Sequence, residues 1–190
     1  NFTLLTYFRK FFYLLLNYLA VVKVFRHLEE TALEQFHVSY TGLEPPISLL
    51  VPAYNESRGI VTTVNSVLQL EYPELEVIVI NDGSTDGTLD VLRDEFQLEI
   101  APEVYRRDLE TQPVRHIYRS RTHRNLRVVD KANGGKADAL NAGINCGRYP
   151  LFCSIDADSF LERQSLRRVV LPFIEDSRTV AVGGTVRIAN

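Results

Sequence analysis

The sequence predicts an α/β domain on a mainly parallel sheet flanked by helices, preceded by an apolar helix that lies in or on a membrane. Three observations predict it. Short β-rich runs alternate with segments whose apolar residues recur at helical spacing, the pattern of strands joined by crossover helices. One of those runs, Val77-Ile-Val-Ile80, is too continuously apolar for a half-exposed strand and reads as a buried parallel one. Finally, Phe2 to Phe25 is dense in Phe, Leu, Tyr and Val and contains no acid, the first being Glu29.

The apolar lead comes first. Its uncharged run Phe11 to Val22 covers twelve residues, about 18 Å as a helix against a hydrocarbon core of about 30 Å. A truncated or snorkelling span, an interfacial helix and a buried helix all fit that length. Arg9, Lys10, Lys23 and Arg26 flank or punctuate the run without any carboxylate, the arrangement expected beside a cytoplasmic membrane face. The expectation is therefore a membrane location with the folded domain on the cytoplasmic side. A signal peptide fits poorly, because no small-residue cleavage site follows. Residues 1–26 form this segment, 27–46 a polar linker ending at Pro45-Pro46, and 47–190 the folded part.

Within that part, Ile47 to Val51 is the first strand, and Asn55 and Ser57 are candidate caps for a helix carrying Ile60, Val61, Val64, Val67 and Leu68 on one face. Leu75 to Ile80 is the second strand, Asn81 to Thr88 a turn, and Leu89, Leu92 and Phe96 mark the next helix. Val114 to Tyr118 and Leu126 to Val129 are strands around a charged loop. Gly134-Gly135 opens a helix with Leu140 and Ile144, and Leu151 to Ile155 is a further buried strand. Ser165 to Ile174 is an amphipathic helix that Pro172 threatens to kink, and Val180 to Ile188 closes the chain as a strand.

Composition bounds the function. With 190 residues, 45% hydrophobic and 24% charged, the chain suits one folded domain and is neither collagen-like, disulfide-dense nor disordered. A net charge of −3, falling to −7 once the four lead cations are set aside, argues against a nucleic-acid binder. Cys146 and Cys153 lack partners at zinc-like spacing and read as reduced, partly buried thiols. Methionine is absent even at position 1, where Asn1 stands, so a piece of a longer protein is expected.

Ligands in parallel sheets sit beyond the carboxyl ends of the strands. Three strands here end in polar motifs: Pro52-Ala-Tyr-Asn-Glu56, Asn81-Asp-Gly-Ser-Thr-Asp86 and Asp156-Ala-Asp158. No GxGxxG or GxxxxGK[ST] loop occurs, which excludes the usual dehydrogenase and P-loop sites. Asp156 and Asp158, on an extended backbone, would project to one side about 7 Å apart and could hold Mg²⁺ or Mn²⁺ with diphosphate oxygens; an exposed acidic turn is the plainer reading. Asp82 could accept from a base or form an Asx turn. Lys136, beside Gly134 and Gly135 at a helix start, offers a cation and free N–H groups to an anion, or is simply solvated. Tyr54 could stack on a base or pack. Arg106 to Lys131 holds eight basic residues against three acids, which could grip an anionic surface but is more simply a solvated loop.

Ordered along the chain, four blocks resemble the family 2 glycosyltransferases of the GT-A (Rossmann-like) fold, and more narrowly the membrane-bound processive β-glycan synthases. They are Ile47 to Ser57, Val77 to Thr88, Asp130 to Ile144 and Phe152 to Phe160. The resemblance implies an inverting, metal-dependent transferase taking a nucleotide-sugar donor, a UDP-sugar, to a growing polysaccharide at the membrane. A lipid acceptor, or a non-catalytic nucleotide-sugar-binding module, is the alternative. It implies that Pro52, Ala53, Tyr54 and Glu56 line the nucleotide pocket and that Asp82 contacts the base, uracil. It places Lys136 near the diphosphate, Asp156 toward the ribose or sugar, and Asp158 on the metal. The family's catalytic base lies in a Glu-Asp motif downstream, followed by Gln-x-x-Arg-Trp; neither occurs in these 190 residues, and the general base is expected beyond Asn190.

Overall fold

The computed structural model describes residue 10, residues 12–23 and residues 44–184. The chain divides into two units, Asn1–Gly42 and Leu43–Asn190. In the first, residues 12–23 are helical and expose Leu14, Tyr18 and Leu19. No helix among the described residues is long and apolar enough to cross a membrane, and the expected linker falls mostly outside them.

Among the described residues, the second unit holds a six-stranded sheet of order β3-β4-β5-β2-β1-β6. β1 (Ile47–Ala53) pairs in parallel with β2 (Leu75–Asp82) and with β6 (Leu151–Ser154), and β2 pairs in parallel with β5 (Leu126–Lys131). β4 (Val114–Ser120) runs antiparallel to β5, and β3 (Leu98–Ile100) antiparallel to β4. Every residue of β2 and β5 is buried, the mark of central strands covered on both faces.

Period-two alternation divides the strand side chains between two cores. Leu49, Val51, Val77, Val79 and Val128 join Ile60, Val64 and Val67 of α1 (Ile60–Leu68), Leu92 and Phe96 of α2 (Thr88–Phe96), and Leu166 and Val170 of α4 (Ser165–Glu175). On the other face Leu50, Ile78, Ile80 and Val129 meet Ala139, Ala142 and Cys146 of α3 (Lys136–Cys146). Gly143 makes that contact close, since a Cβ there would stand 3.0 Å from Ile80 Cδ1 and 3.1 Å from Leu50 Cδ2.

Several expectations need correcting. Asn55 and Ser57 do not cap α1, whose N-cap is Gly59; the Glu56 carbonyl instead accepts from Gly59 and Ile60 N–H. β6 ends at Ser154 and, among the described residues, is an edge strand, with Phe152 and Ser154 exposed instead of buried. β3 was unforeseen; Gln97, in the left-handed region at φ 47°, turns the chain out of α2 into it. Helix α4, by contrast, is where it is expected, running from Ser165 to Glu175 with Pro172 inside it. Residues 180–184 are not strand, and the rest of the expected last strand lies outside the described residues.

Candidate donor site at the carboxyl edge of the sheet

The parallel strands deliver their carboxyl ends to one edge: Ala53, Asp82, Lys131 and Ser154. After β1, the chain clasps the turn that follows β2. Asn55 takes φ 57°, its N–H donates to Ser84 Oγ (3.0 Å), and its Oδ1 accepts from Thr85 N–H (2.8 Å). Glu56 N–H donates to Thr88 Oγ1 (2.9 Å), while Asp86 accepts from Ser57 N–H and Thr88 N–H, both at 3.0 Å. Desolvation opposes the charge on Asp86, but the hydrogen bonds from Thr88 and Ser57 outweigh it and hold this carboxyl well below its ordinary value. Tyr54 is 52% exposed and lies outside both cores. Ala53 is different: its side chain belongs to the core, and it stands opposite Asn81 in the β1–β2 ladder.

Replacing Asp86 by Ala removes the clasp's anchor and costs about 1 kcal/mol, typical of exposed turn hydrogen bonds, readable in a urea melt. Because the folded carboxyl titrates below the unfolded one, the native residue's advantage is complete above 3.8 and is lost as pH falls through the lower folded value. A melt series from neutral to acid pH therefore shows the two proteins converging.

Asp82 is buried, and its oxygens are occupied. Gly135 N–H donates to Oδ2 at 2.7 Å, Gly134 N–H reaches Oδ1 at 3.1 Å, and Lys131 Nζ pairs with Oδ1. The glycine N–H groups expected to greet an anion are thus spent on Asp82. The Asp82 carbonyl accepts from Asn133 Nδ2 at 2.8 Å. Gly83, at φ 68°, fits because a Cβ would stand 2.7 Å from Asn133 N.

The Asp156-Ala-Asp158 segment is a turn instead of an extended strand, closed by Ser159 N–H donating to the Asp156 carbonyl at 3.0 Å. Ile155 and Ala157 are buried while both aspartates are exposed. Thr63 Oγ1 of α1 donates to the Ala157 carbonyl at 2.5 Å and ties the turn down. Lys136 Nζ pairs with Asp156 Oδ1, with side chains 61% and 54% exposed, so the start of α3 meets the turn after β6 across the edge.

The basic stretch is largely neutralised within the fold. Arg119, Arg127 and Arg148 converge on Glu103, Arg121 pairs with Glu99, Arg115 with Asp130, and Arg106 donates to the Ile144 and Gly147 carbonyls at the end of α3. These partners leave few cations for an anion-gripping surface, and the stretch is not a solvated loop either, since β4 and β5 make up half of it and Arg127 and Lys131 are buried. Cys146 is no nucleophile, since burial pushes its thiol up to about 11. Thr63, Asp86, Lys131 and Asp138 are site-shaping residues that sequence reasoning passed over.

A family model described as "Glycosyl transferase family 2" matches residues 48–190. The chain belongs to this glycosyltransferase family. It is 34% identical over 145 residues to a poly-β-1,6-N-acetyl-D-glucosamine synthase of Staphylococcus epidermidis, covering 76% of this chain and 29% of that one. The Staphylococcus aureus (strain COL) synthase is 32% identical over the same length, again with 29% of it covered. The chain therefore spans less than a third of these relatives. Among solved structures, the mannosyltransferase PcManGT from Pyrobaculum calidifontis, in complex with GDP-Man and Mn²⁺, superposes with TM-score 0.52 at 26% identity, covering 70% of this chain and 32% of that one. S. aureus TarS 1–349 in complex with UDP-GlcNAc shares the fold at TM-score 0.50 and 22% identity, over 68% and 31% of the two chains.

Proposed function

We propose that the protein is an inverting glycosyltransferase moving a sugar from a UDP-sugar donor to a growing polysaccharide at a membrane, with a divalent metal. The observation that carries this reading is the convergence of Tyr54, Asp82, Lys136, Asp156 and Asp158 on one carboxyl edge of a family 2 domain. Tyr54, exposed above the β1–β2 clasp, stacks on the base, with Pro52, Ala53 and Glu56 forming the pocket wall and Asp82 on the base side. Lys136 meets the diphosphate, and Asp156 turns toward the ribose or sugar.

The residues present fit a metal of the proposed kind. Asp156 and Asp158 are hard oxygen donors on an exposed turn, and among the described residues no group of three His, Cys, Asp or Glu forms a self-sufficient cage. Such a set suits Mg²⁺ or Mn²⁺ completing its shell with diphosphate oxygens and water. Asp158 would hold the ion, whose contribution is Lewis-acid stabilisation of the departing diphosphate. The acceptor hydroxyl loses its proton to a base that the family resemblance places beyond Asn190.

The deciding experiment is turnover by the intact protein with UDP-GlcNAc, other UDP-sugars and GDP-mannose, with products sized for polymer or glycolipid. Turnover of a UDP-sugar into polymer is the expected result, and a glycolipid moves the assignment to a lipid acceptor. UDP binding without turnover of any donor favours a non-catalytic module. For the membrane element, deleting residues 1–26 is expected to shift the protein from the membrane pellet to the soluble fraction on cell fractionation.

A further inference from the structure

Lys131 is wholly buried at the end of β5, opposite Asp82 in the β2–β5 register. Its ammonium has three protons to place, and three acceptors surround it: Asp82 Oδ1, the Ala132 carbonyl at 2.6 Å, and Asp138 Oδ1. Asp82 in turn holds Gly134 and Gly135 by their N–H groups, and Asp138 lies in the first turn of α3, where its Oδ2 also accepts from Gln112 N–H at 2.8 Å. Desolvation works against the Asp138 charge, but the Lys131 and Gln112 hydrogen bonds prevail and hold its carboxyl below the ordinary value.

Lys136 sits between these two anchors. The residue before it, Gly135, is tied to Asp82, and the residue two after it, Asp138, is tied to Lys131. The bridge leaves no space beside Gly134, where a Cβ would stand 2.4 Å from Asp138 Oδ1. A buried cation between two carboxylates is weak as a source of stability, because desolvation consumes most of its Coulomb energy, but it is strict about geometry.

We infer that Lys131 is a positioning residue: it never touches the donor, and it sets the backbone from which Lys136 reaches the diphosphate. This rests on the proposed placement of Lys136. The Lys131–Asp82–Asp138 bridge fixes the 134–136 loop on both sides, so the diphosphate's share of donor affinity, read as the ratio of UDP to uridine affinity, depends on Lys131 through Lys136.

The test is a cycle in the intact protein, with Mg²⁺ present, reading the ratio of UDP to uridine affinity by calorimetry and folding by thermal melt. The charge-balanced pair Lys131→Met with Asp138→Asn is expected to lower that ratio about tenfold when Lys136 is present and by less than about twofold in a Lys136→Ala background, as coupled residues do. If the pair fails to fold, Asp138→Asn alone, which keeps the Lys131–Asp82 contact, is expected to show the same coupling at about threefold. Equal losses in both backgrounds overturn the inference and leave Lys131 a structural residue. A ratio that Lys136→Ala itself does not lower refutes the placement of Lys136 at the diphosphate, and the inference with it.

Discussion

Asp158→Asn is expected to weaken UDP binding about tenfold or more in Mg²⁺ or Mn²⁺ and to leave it unchanged in chelator. The substitution keeps the shape of the side chain and removes its charge, which is what a hard divalent ion needs from it. It should not disturb the fold. Asp158 is exposed, and the turn that carries it is fastened through neighbours, by Thr63 on the Ala157 carbonyl and by Ser159 on the Asp156 carbonyl. Titration calorimetry with and without EDTA separates the two conditions. Equal affinities for native and variant protein in saturating metal would sink the assignment of Asp158 to the ion.

The opposite end of the sheet should behave in the opposite way. Glu76, the second residue of β2, gathers Ser48 Oγ at 2.5 Å, Arg127 Nη2 at 2.6 Å and Arg148 N–H at 2.7 Å. Arg127 is as buried as Glu76, and it also serves the Cys146 carbonyl (2.8 Å) and Glu103 (2.9 Å). Glu76→Ala leaves this guanidinium short of a carboxylate in the interior, which costs about 3–5 kcal/mol, with the remaining Glu103 contact pulling toward the lower figure. A denaturant melt reads that loss. UDP affinity, measured at a temperature where the variant is still folded, should not change, because nothing in this network reaches the carboxyl edge. A drop in affinity there would show that the two ends of the sheet are coupled.

How far the sequence carried the reading depends on which signal each element sends. The parallel strands were legible because burial on both faces leaves a continuous apolar run, as in Val77 to Ile80, and because three of them end in polar motifs at one edge. Strand sense and depth send no such signal. β4 and β5 have similar lengths and composition, yet only pairing shows that one is reversed, and Phe152 looks as apolar on an edge as it would in a core. β3 has three residues, too few to establish a period. Lys131 was hidden among seven arginines in a charged stretch, where composition suggests a solvated loop. A cue did exist: Lys131 directly continues the buried run Val128-Val129-Asp130, and a lysine there must find a carboxylate. Asp82, at the end of the neighbouring strand, supplies one. The twist of Asp156-Ala-Asp158 into a turn was not legible either, since D-x-D after a strand is compatible with both backbones.

Gly143 also determines how this edge can respond when a donor arrives. The backbone of α3 is seated against Ile80 and Leu50 at Gly143, and Arg106 and Arg127 hold the carbonyls at its far end. Packed interfaces of this kind shift between discrete seatings and do not glide, and here the next seating would break both grips at once. Recognition must then work like a turnstile and not like a piston. If Lys136 meets the diphosphate as proposed, it does so by swinging on its own torsions, exchanging the Asp156 carboxylate for phosphate oxygens while the helix that carries it stays still.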